Sequence, residues 1–385
     1  YDDIAFFLDT VCLCLLCLYL VVFFFFFFMH PQPPVFSPLP LPDVLPISLL
    51  PKWTAQSACM LTWPHENTDW AGNLIEVEIV YKTIVKEISQ REQVLIVCQD
   101  NAHQQHIKSV LSSTEIISKC LFHFAESNDS WARDHGPLTV RSRDGLKLLD
   151  FQFNGWGQKF KSALDNAINQ QVAATGVFST ELEEVPFVLE GGSIETDGNG
   201  TLLTTENCLL STKRNPDFSV ANWNKKLQHY FGTDNILWLK HGHLVGDDTD
   251  SHIDTLARFC NPSTIAYCSC QPEDEHYQDL KAMENELRGM KNINGEAYDL
   301  VDLPLPNPVY DEGGSRLPAT YANFLIINQA VLVPVYNDEQ DEFILQRLSA
   351  VFKDRDVIGI NCLPIIKQYG SLHCLTMQLP AGVLA

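Results

Sequence analysis

The 385-residue sequence has few basic side chains for its length. It contains 26 lysines and arginines against 48 aspartates and glutamates, so its formal net charge at pH 7 is −22. Such an acidic surface repels phosphate backbones, and we therefore expect no nucleic-acid partner. The same charge favours a small cationic ligand, although many bacterial cytosolic enzymes are equally acidic.

The 12 cysteines lack the spacing of a disulfide framework. Three of them, Cys12, Cys14 and Cys17, lie near the N-terminus, and the other nine are scattered among mostly apolar residues. This distribution is typical of reduced, buried thiols in a cytosolic protein. Cys268 and Cys270 form a candidate metal or redox pair, but no second pair matches them.

Residues 4–28 form the only stretch of the sequence that could signal a membrane span. Residues 4–28 are almost wholly apolar and have the length of a membrane span, yet they include Asp9 and lack basic flanks and a cleavage site. Proline-rich residues 30–51 follow and cannot form regular secondary structure. We favour a translated upstream region or a mis-assigned start over the alternative, a membrane anchor with a linker.

The composition predicts a short N-terminal segment and one large folded domain. Residues 1–50 are expected to lie outside the folded domain, which begins near Pro51 and covers residues 51–385. Hydrophobic residues make up 45% of the chain, enough for a sizeable core. We expect a cytoplasmic protein, with anchoring through residues 4–28 as the alternative.

Apolar runs typical of strands alternate with amphipathic runs typical of helices from residue 61 onward. Strands are predicted in "VLIVCQD" (residues 94–100), "DNILWLK", "TIAYCSC", "NFLIINQAVLVPVY" and "SLHCLTMQLP". Two strands around a turn are predicted in both "PLTVRSRDGLKLLDFQF" and "SIETDGNGTLLTTENCLL". Helical spacing occurs in "AGNLIEVEIVYKTIVKEISQR", "HYQDLKAMENELRGM" and "DEQDEFILQRLSAVFKD". The letters "EGGS" recur at residues 190–193 and 312–315, which suggests an α/β fold of repeated β–β–α units.

Cys374 is a candidate nucleophile near the C-terminus. If "SLHCL" is a strand, His373 points to the opposite face and cannot act on the thiol. His252 is the better candidate base, because a neighbouring carboxylate orients an imidazole and favours its charged form. A charged histidine in turn favours the thiolate. Four aspartates surround His252 in the sequence: Asp247, Asp248, Asp250 and Asp254. The structural alternative for Cys374 is a buried core thiol.

Two further carboxylates suggest a cation site. Asp134 and Asp254 both lie where strands are expected to end, and two carboxylates can bind the five donors of a planar guanidinium. The alternatives are an ion pair with Arg133 or a turn cap for Asp134, and a helix cap for Asp254.

A metal site is the competing interpretation of the segment "HGHLVGDDTDSHID". It contains three histidines and several aspartates, and His241 and His243 would share one face of a strand. A metallohydrolase of this kind would leave Cys374 and the "WARD" segment without a role.

Six separated motifs together resemble the agmatine deiminase family, a relative of bacterial-type peptidylarginine deiminases in the guanidino-group-modifying superfamily. They are "LTWPHENTDW", "NDSWARDHGPLTV", "LEGGSIETDGNGTLLTTENCLL", "GDDTDSHIDTLARF", "NFLIINQAVLVPVYND" and "GSLHCLTMQ". The resemblance runs from about residue 53 to the C-terminus and makes residues 51–385 a deiminase catalytic domain. It implies a five-bladed, pseudo-symmetric α/β propeller (pentein) that hydrolyses a guanidine to a urea and ammonia without metal or cofactor.

The resemblance also implies roles for the residues that match its motifs. Cys374 resembles the nucleophile, and His252 resembles the general acid and base. Asp134 and Asp254 resemble the pair that binds the guanidinium nitrogens. Glu190 resembles the carboxylate that orients the histidine.

Three more positions, Trp131, Asp248 and Asn323, match residues that lie close to the substrate in relatives. The stretch "KQYGSLHC" departs from the family pattern at Tyr369 and Ser371, in a loop that contacts the substrate tail. His241 and His243 receive no role from the resemblance.

The expected reaction is hydrolysis of agmatine to N-carbamoylputrescine and ammonia, a step of polyamine synthesis. Peptidylarginine deimination is the alternative function with the same chemistry. A metallohydrolase is a more distant enzymatic alternative. The non-enzymatic alternative is a membrane-anchored binding protein without turnover. The expected partner is a small cationic guanidino substrate. A homodimer is one oligomeric state that the sequence allows.

Overall fold

The computed structural model describes residues 47–385. The predictions about the apolar stretch at residues 4–28 therefore lie outside the described residues. No helix within residues 47–385 is long and apolar enough to span a membrane. The described chain opens with a strand, Ile47–Leu49, that pairs with a strand of the body, so the fold includes residues before the predicted start at Pro51.

Strands are numbered in chain order along the described residues. They are β1 (Ile47–Leu49), β2 (Gln56–Thr62), β3 (Gln93–Cys98), β4 (Cys120–Phe124), β5 (Leu138–Ser142), β6 (Gly145–Gln152), β7 (Leu182–Val188), β8 (Ile194–Thr196), β9 (Thr201–Thr205), β10 (Asn235–Leu239), β11 (Ala257–Asn261), β12 (Thr264–Ser269), β13 (Asp299–Pro304), β14 (Leu325–Ile327), β15 (Ala330–Val335), β16 (Asp356–Asn361) and β17 (Thr376–Pro380).

Helices connect these strands. They are α1 (Leu74–Ser89), α2 (Asn101–Leu111), α3 (Thr114–Ile117), α4 (Ala132–His135), α5 (Gly155–Gln158), α6 (Ile168–Ala173), α7 (Glu206–Leu209), α8 (Val220–Phe231), α9 (Ile253–Leu256), α10 (Tyr277–Gly289), α11 (Gln340–Val351) and α12 (Leu363–Ile366). Three short 3₁₀ turns lie at Asp69–Gly72, Asp165–Ala167 and Gly191–Ser193.

The described residues form five sheets of a mixed α/β fold, and one connection plan recurs in three of them. The sheets have the orders β1-β5-β6-β7, β10-β9-β8, β11-β12-β13, β14-β15-β16 and β17-β2-β3-β4. In the second sheet, β8 and β9 are antiparallel, α8 follows, and β10 returns parallel to β9. The same order of an antiparallel pair, a helix and a parallel strand is repeated with α10 in the third sheet and α11 in the fourth.

Continuous apolar runs form the central strands because both of their faces are covered. In β15, "AVLVPV", the residues from Ala330 to Val333 are 0% exposed, and Leu332 pairs with Ile358 of β16. The helix α1 is instead amphipathic, and its buried residues recur every three or four positions, as at Val77 and Tyr81. These elements confirm the strand and helix predictions for the same segments.

The predicted strand at "SLHCL" is wrong. Residues 371–375 form a turn, and β17 begins only at Thr376. The Asn323 side chain accepts the backbone N–H of His373 at 2.8 Å and that of Cys374 at 3.3 Å. A side chain from the segment before β14 thus replaces the hydrogen bonds of a strand, and the argument that His373 must face away from the thiol no longer holds.

The two "EGGS" copies occupy different structural positions. Residues 190–193 form a buried turn directly before β8, whereas residues 312–315 form an exposed turn between β13 and β14. An isolated bridge between Tyr310 and Arg316 closes the second turn. The repeated letters therefore do not mark equivalent units, although the connection plan does repeat.

Predicted site residues lie just before the first strand of each antiparallel pair. Asp134 precedes β5, Glu190 precedes β8, Asp254 precedes β11, Asn323 precedes β14 and Cys374 precedes β17. The fold thus supplies one short segment per sheet, and these five segments build the site described below.

Candidate active site

Cys374 lies at the base of a cavity and is held by its turn. Its side chain is 5% exposed, and its thiol donates to Asn323 Oδ1 at 3.4 Å. Burial raises the pKa of the thiol well above its ordinary value, and the nearby carboxylates of Asp254 and Asp134 raise it further. Both effects disfavour the thiolate form of Cys374.

The cavity above Cys374 is acidic and aromatic. It encloses about 380 Å³ of empty volume, part of it open to solvent. Among the described residues that line it, none is a lysine or an arginine. The lining includes four aspartates and four aromatic side chains: Asp69, Asp129, Asp134, Asp248, Trp131, Trp156, Phe160 and Tyr369. Such a site favours a cation with an apolar middle.

Asp134 lies within the short helix α4 and faces this cavity. Its Oδ2 accepts a hydrogen bond from Trp156 Nε1 at 2.9 Å, and its Oδ1 accepts one from the backbone N–H of Gly192 at 3.0 Å. Burial raises the pKa of Asp134 well above its ordinary value, and Asp254 and Glu190 add to the effect. Trp156 was not identified from the sequence, where "NGWGQ" indicates no more than a turn.

Gly192 lies where three polar side chains converge. A Cβ at this position would lie 2.6 Å from His252 Nδ1, 2.8 Å from Asp134 Oδ1 and 3.2 Å from Asp254 Oδ2. The glycine therefore permits these three predicted site residues to meet around one backbone atom. This close approach is the physical role of the second glycine in "EGGS".

His252 is buried directly beside Asp134. Its Nδ1 lies 3.6 Å from Asp134 Oδ1, and no residue among 47–385 hydrogen-bonds its Nε2. Burial lowers the pKa of His252 well below its ordinary value, with smaller contributions from the cations Arg214 and Lys159. Burial thus opposes the expected stabilisation of the imidazolium, although a carboxylate, that of Asp134, does lie beside the ring.

The aspartates next to His252 in the sequence have other partners. Asp247 accepts hydrogen bonds from the backbone N–H groups of Thr249 and Ser251. Asp250 forms an ion pair with Lys159 at 2.7 Å and one with Arg214 at 2.6 Å. Neighbours along the chain were therefore a poor guide to the groups around the imidazole ring.

Glu190 is fully buried next to His252 and pairs with an arginine. Arg214 Nε lies 2.8 Å and 3.0 Å from the two carboxylate oxygens of Glu190. Polar atoms of Glu190, Cys208 and His252 all lie within 4.8 Å of one another. Arg214 comes from the loop between α7 and α8, and its sequence context shows no functional pattern.

Asp254 belongs to a buried chain of polar side chains. Its Oδ2 accepts from His373 Nδ1 at 2.7 Å, and Arg258 Nη2 lies 3.1 Å from His373 Nε2. Since Arg258 can only donate, His373 must carry its proton on Nδ1. Arg258 Nε also donates to Glu195 Oε1 at 2.6 Å. Burial raises the pKa of Asp254 to about 6, despite the opposing effect of Arg258.

The three residues predicted to lie near the substrate divide into two groups. Trp131 and Asp248 line the cavity, and burial together with Asp247 raises the pKa of Asp248 to about 7. Asn323 is 0% exposed and lies behind Cys374, where its Nδ2 donates to the backbone oxygen of Asp254 at 3.2 Å.

The histidines of the metal interpretation do not converge. His241 is exposed and contacts Glu286 Oε1 at 2.8 Å, and His243 is also exposed, whereas His252 is buried. The only group within residues 47–385 that could offer three ligands is Glu190, Cys208 and His252. Arg214 already contacts both oxygens of Glu190, which is unfavourable for a metal cation there.

The pair at Cys268 and Cys270 does not form a disulfide. Both thiols are free, and Cys268 Sγ lies 2.7 Å from Thr320 Oγ1 and 3.0 Å from the backbone oxygen of Thr255. The buried thiol therefore packs as part of the core, which leaves the redox interpretation without support in its geometry.

Comparison with known proteins agrees with this arrangement. The sequence profile of the Porphyromonas-type peptidyl-arginine deiminase family matches residues 48–380. The chain belongs to this family. A relative from Vibrio parahaemolyticus, provisionally named an agmatine deiminase, is 31% identical over 347 residues, which are 84% of this chain and 94% of the relative.

Two solved structures share the fold over most of the chain. A Porphyromonas gingivalis protein, provisionally named an arginine deiminase, is 46% identical with a TM-score of 0.84 and covers 88% of this chain and 100% of its own. Campylobacter jejuni agmatine deiminase, solved with substrate bound in a cysteine-to-serine variant, is 41% identical with a TM-score of 0.81 and covers 88% of this chain and 97% of its own. The family assignment thus extends over the whole region that carries the site.

Proposed function

We propose that this protein is a cysteine-dependent hydrolase that converts agmatine and water to N-carbamoylputrescine and ammonia. The observation that carries the proposal is the thiol of Cys374 at the base of a cavity lined by aspartates and aromatic rings, with no basic residue among its described lining. A related agmatine deiminase that binds its substrate when a cysteine is replaced by serine supports the same chemistry.

The guanidinium group is proposed to bind between Asp134 and Asp254. Burial raises the pKa of both carboxyls, so each is costly to ionise in the unliganded site. A bound guanidinium supplies planar N–H donors and a positive charge, which favour the ionised carboxylates. The same cation favours a thiolate at Cys374, so substrate binding itself prepares the nucleophile.

The reaction then proceeds in two covalent steps. The Cys374 sulfur bonds to the guanidinium carbon, and the thiol proton passes to His252, whose Nε2 is unpartnered among residues 47–385. His252 returns this proton to the nitrogen that leaves as ammonia, so the carbon remains bound to sulfur as a thiouronium. His252 next removes a proton from water, and the water oxygen bonds to the carbon. The carbon–sulfur bond then breaks, the hydroxyl proton passes to the departing sulfur to give the urea and the free thiol, and His252 gives its proton to the released ammonia or to solvent.

Several groups are proposed to position the reacting residues. Glu190 orients His252 and is itself fixed by Arg214. His373 orients Asp254, and Asn323 holds the turn of Cys374 from behind. We therefore assign Asn323 a positioning role, because its side-chain atoms are engaged by the protein.

The charge of the cavity selects among guanidino compounds. Agmatine carries an amine at the end opposite its guanidinium, and Asp129 and Asp248 offer carboxyls for it near the rim. Free arginine carries a carboxylate at that end, which would meet acidic and no basic lining residues within the described chain. A peptidyl arginine carries no such charge, so activity assays must separate it from agmatine.

The recurring connection plan supports a further proposal about the fold. We propose that the five sheets are the blades of a closed, pseudo-symmetric propeller with the site on its axis. The support is that each sheet contributes a site segment at the same point, before the first strand of its antiparallel pair. The catalytic domain is then residues 47–385, and nine free cysteines favour a reducing, cytoplasmic location.

Ammonia release from three substrates tests the proposed reaction. Agmatine, free arginine and a blocked arginyl peptide would each be assayed with the wild type, Cys374→Ala and, as a matched control, Cys98→Ala, which removes another buried thiol. We expect turnover of agmatine only, lost in Cys374→Ala, kept in Cys98→Ala and unchanged by a chelator. Turnover mainly of the peptide would instead assign the protein to protein modification. No turnover of any substrate would refute the deiminase.

A further inference from the structure

A second cavity lies behind the active site and has the opposite charge. It encloses about 460 Å³ of empty volume, part of it open to solvent. Lys52 and Arg133 line it, and no aspartate or glutamate does so among the described residues. In a chain with a formal net charge of −22, a cavity with two cations and no acid requires an explanation.

Arg133 is the more unusual of these two cations. It is 1% exposed, and its Nη1 and Nη2 donate to Met377 Sδ at 3.4 Å and to Gln378 Oε1. No carboxylate within residues 47–385 hydrogen-bonds its guanidinium. Burial lowers the pKa of Arg133 to about 10, while the carboxylates of Asp254 and Glu195 act in the opposite direction. Buried charges are normally paired, so a guanidinium that has only neutral hydrogen-bond partners among the described residues can take a bound anion.

Neutral groups of the same cavity complete a binding site. Thr139 Oγ1 and Gln56 Oε1 are buried, and neither has a hydrogen-bond partner among the described residues; their side chains are 5% and 7% exposed. The threonine hydroxyl can donate to an oxyanion, while the amide oxygen can only accept. Burial and Arg133 lower the pKa of Lys52 to about 7, an effect that a bound anion would reverse.

We propose that this cavity binds a small protonated oxyanion such as hydrogen phosphate. Arg133, Lys52 and Thr139 donate to its oxygens, and Gln56 accepts its hydroxyl. Arg133 also joins this cavity to the active site, because its backbone N–H donates to the Cys374 oxygen at 3.1 Å and the next residue is Asp134. Oxyanion binding therefore stabilises the turn that holds the thiol from the opposite side.

Phosphate binding would be measured directly on the full chain, without reliance on turnover. Calorimetric titration and thermal unfolding would use inorganic phosphate. Sulfate and chloride, at matched ionic strength, would serve as comparison anions. At a phosphate concentration about ten times its dissociation constant, a protein of this size should gain about 2 °C in unfolding midpoint. Sulfate should bind more weakly, because it has no proton to offer Gln56 at neutral pH.

Two variants with a matched control locate the site. Lys52→Met removes one cation, and Thr139→Val removes the unpaired hydroxyl at nearly constant volume; each should weaken phosphate binding by about tenfold. Lys119→Met, at an exposed lysine outside the cavity, should bind phosphate as the wild type does. Equal midpoint shifts with phosphate and chloride would overturn the proposal, as would undiminished phosphate binding in both cavity variants. Because binding is read without substrate, inactivity towards agmatine would leave the result interpretable.

Discussion

Replacement of Gly192 by alanine tests the convergence of residues around the proposed guanidinium site. The new Cβ would lie 2.6 Å from His252 Nδ1 and 2.8 Å from Asp134 Oδ1. Ordinary contacts begin at 3.4 Å, so the imidazole must withdraw by about 0.8 Å and the carboxylate by about 0.6 Å. The φ angle of Gly192 lies outside the left-handed region, so alanine is compatible with the backbone and the perturbation is confined to these side chains.

The displacement predicts a large loss of activity and a smaller loss of stability. Misplacement of a catalytic group by about 1 Å costs about 100-fold in rate. Overpacking of a buried position costs about 1–3 kcal/mol of unfolding free energy. We therefore expect Gly192→Ala to fold, with kcat/KM for agmatine reduced by about 100-fold or more.

The matched control is Gly289→Ala at the end of α10, where a new Cβ would meet no atom within 4 Å. This variant should keep wild-type kcat/KM and be slightly more stable, because alanine reduces the entropy of the unfolded chain. Steady-state kinetics and urea unfolding would be measured on both variants. If Gly192→Ala kept kcat/KM within about threefold of wild type, His252 and Asp134 would not act together at this point.

Three further predictions concern charge. Burial raises the pKa of Asp254 and Asp129 to about 6 and that of Asp248 to about 7, so the folded state binds protons more readily than the unfolded state. The difference in unfolding free energy between the wild type and Asp248→Asn should therefore rise as pH falls from about 8 to 5, a comparison that cancels the opposite effect of buried histidines such as His252, while wild-type kcat/KM should fall below about pH 6; a difference that stayed constant with pH would contradict the raised pKa of Asp248. Asp248→Asn should raise KM for agmatine by about tenfold and leave a simple alkylguanidine unaffected, and equal effects on both compounds would place the amine elsewhere. Arg258→Met should cost about 3–5 kcal/mol in urea unfolding because it leaves Glu195 charged, buried and unpaired, and adding Glu195→Gln should recover part of that loss; no recovery would argue against the ion pair.

Local sequence patterns were sufficient for most regular elements. The amphipathic spacing in α1 and the continuous apolar runs of β3 and β15 report burial directly, and burial is what stabilises these elements. The pattern was misleading at "SLHCL", which is apolar enough for a strand. There the side chain of Asn323, from the segment before β14, accepts the backbone hydrogen bonds and imposes a turn.

The candidate site, like the fold, was only partly predictable from the sequence. By itself, the sequence determined the alternation of strands and helices, the acidic charge and, through six motifs, the residue types of a deiminase. Only the tertiary structure decided which groups meet: Asp254 and His373 are 119 positions apart, and Arg214 and Trp156 carry no functional pattern of their own. It also decided the direction of the pKa shifts, because burial acts through the surroundings of a group in space. The pKa of His252 is therefore lowered although aspartates surround it in the chain.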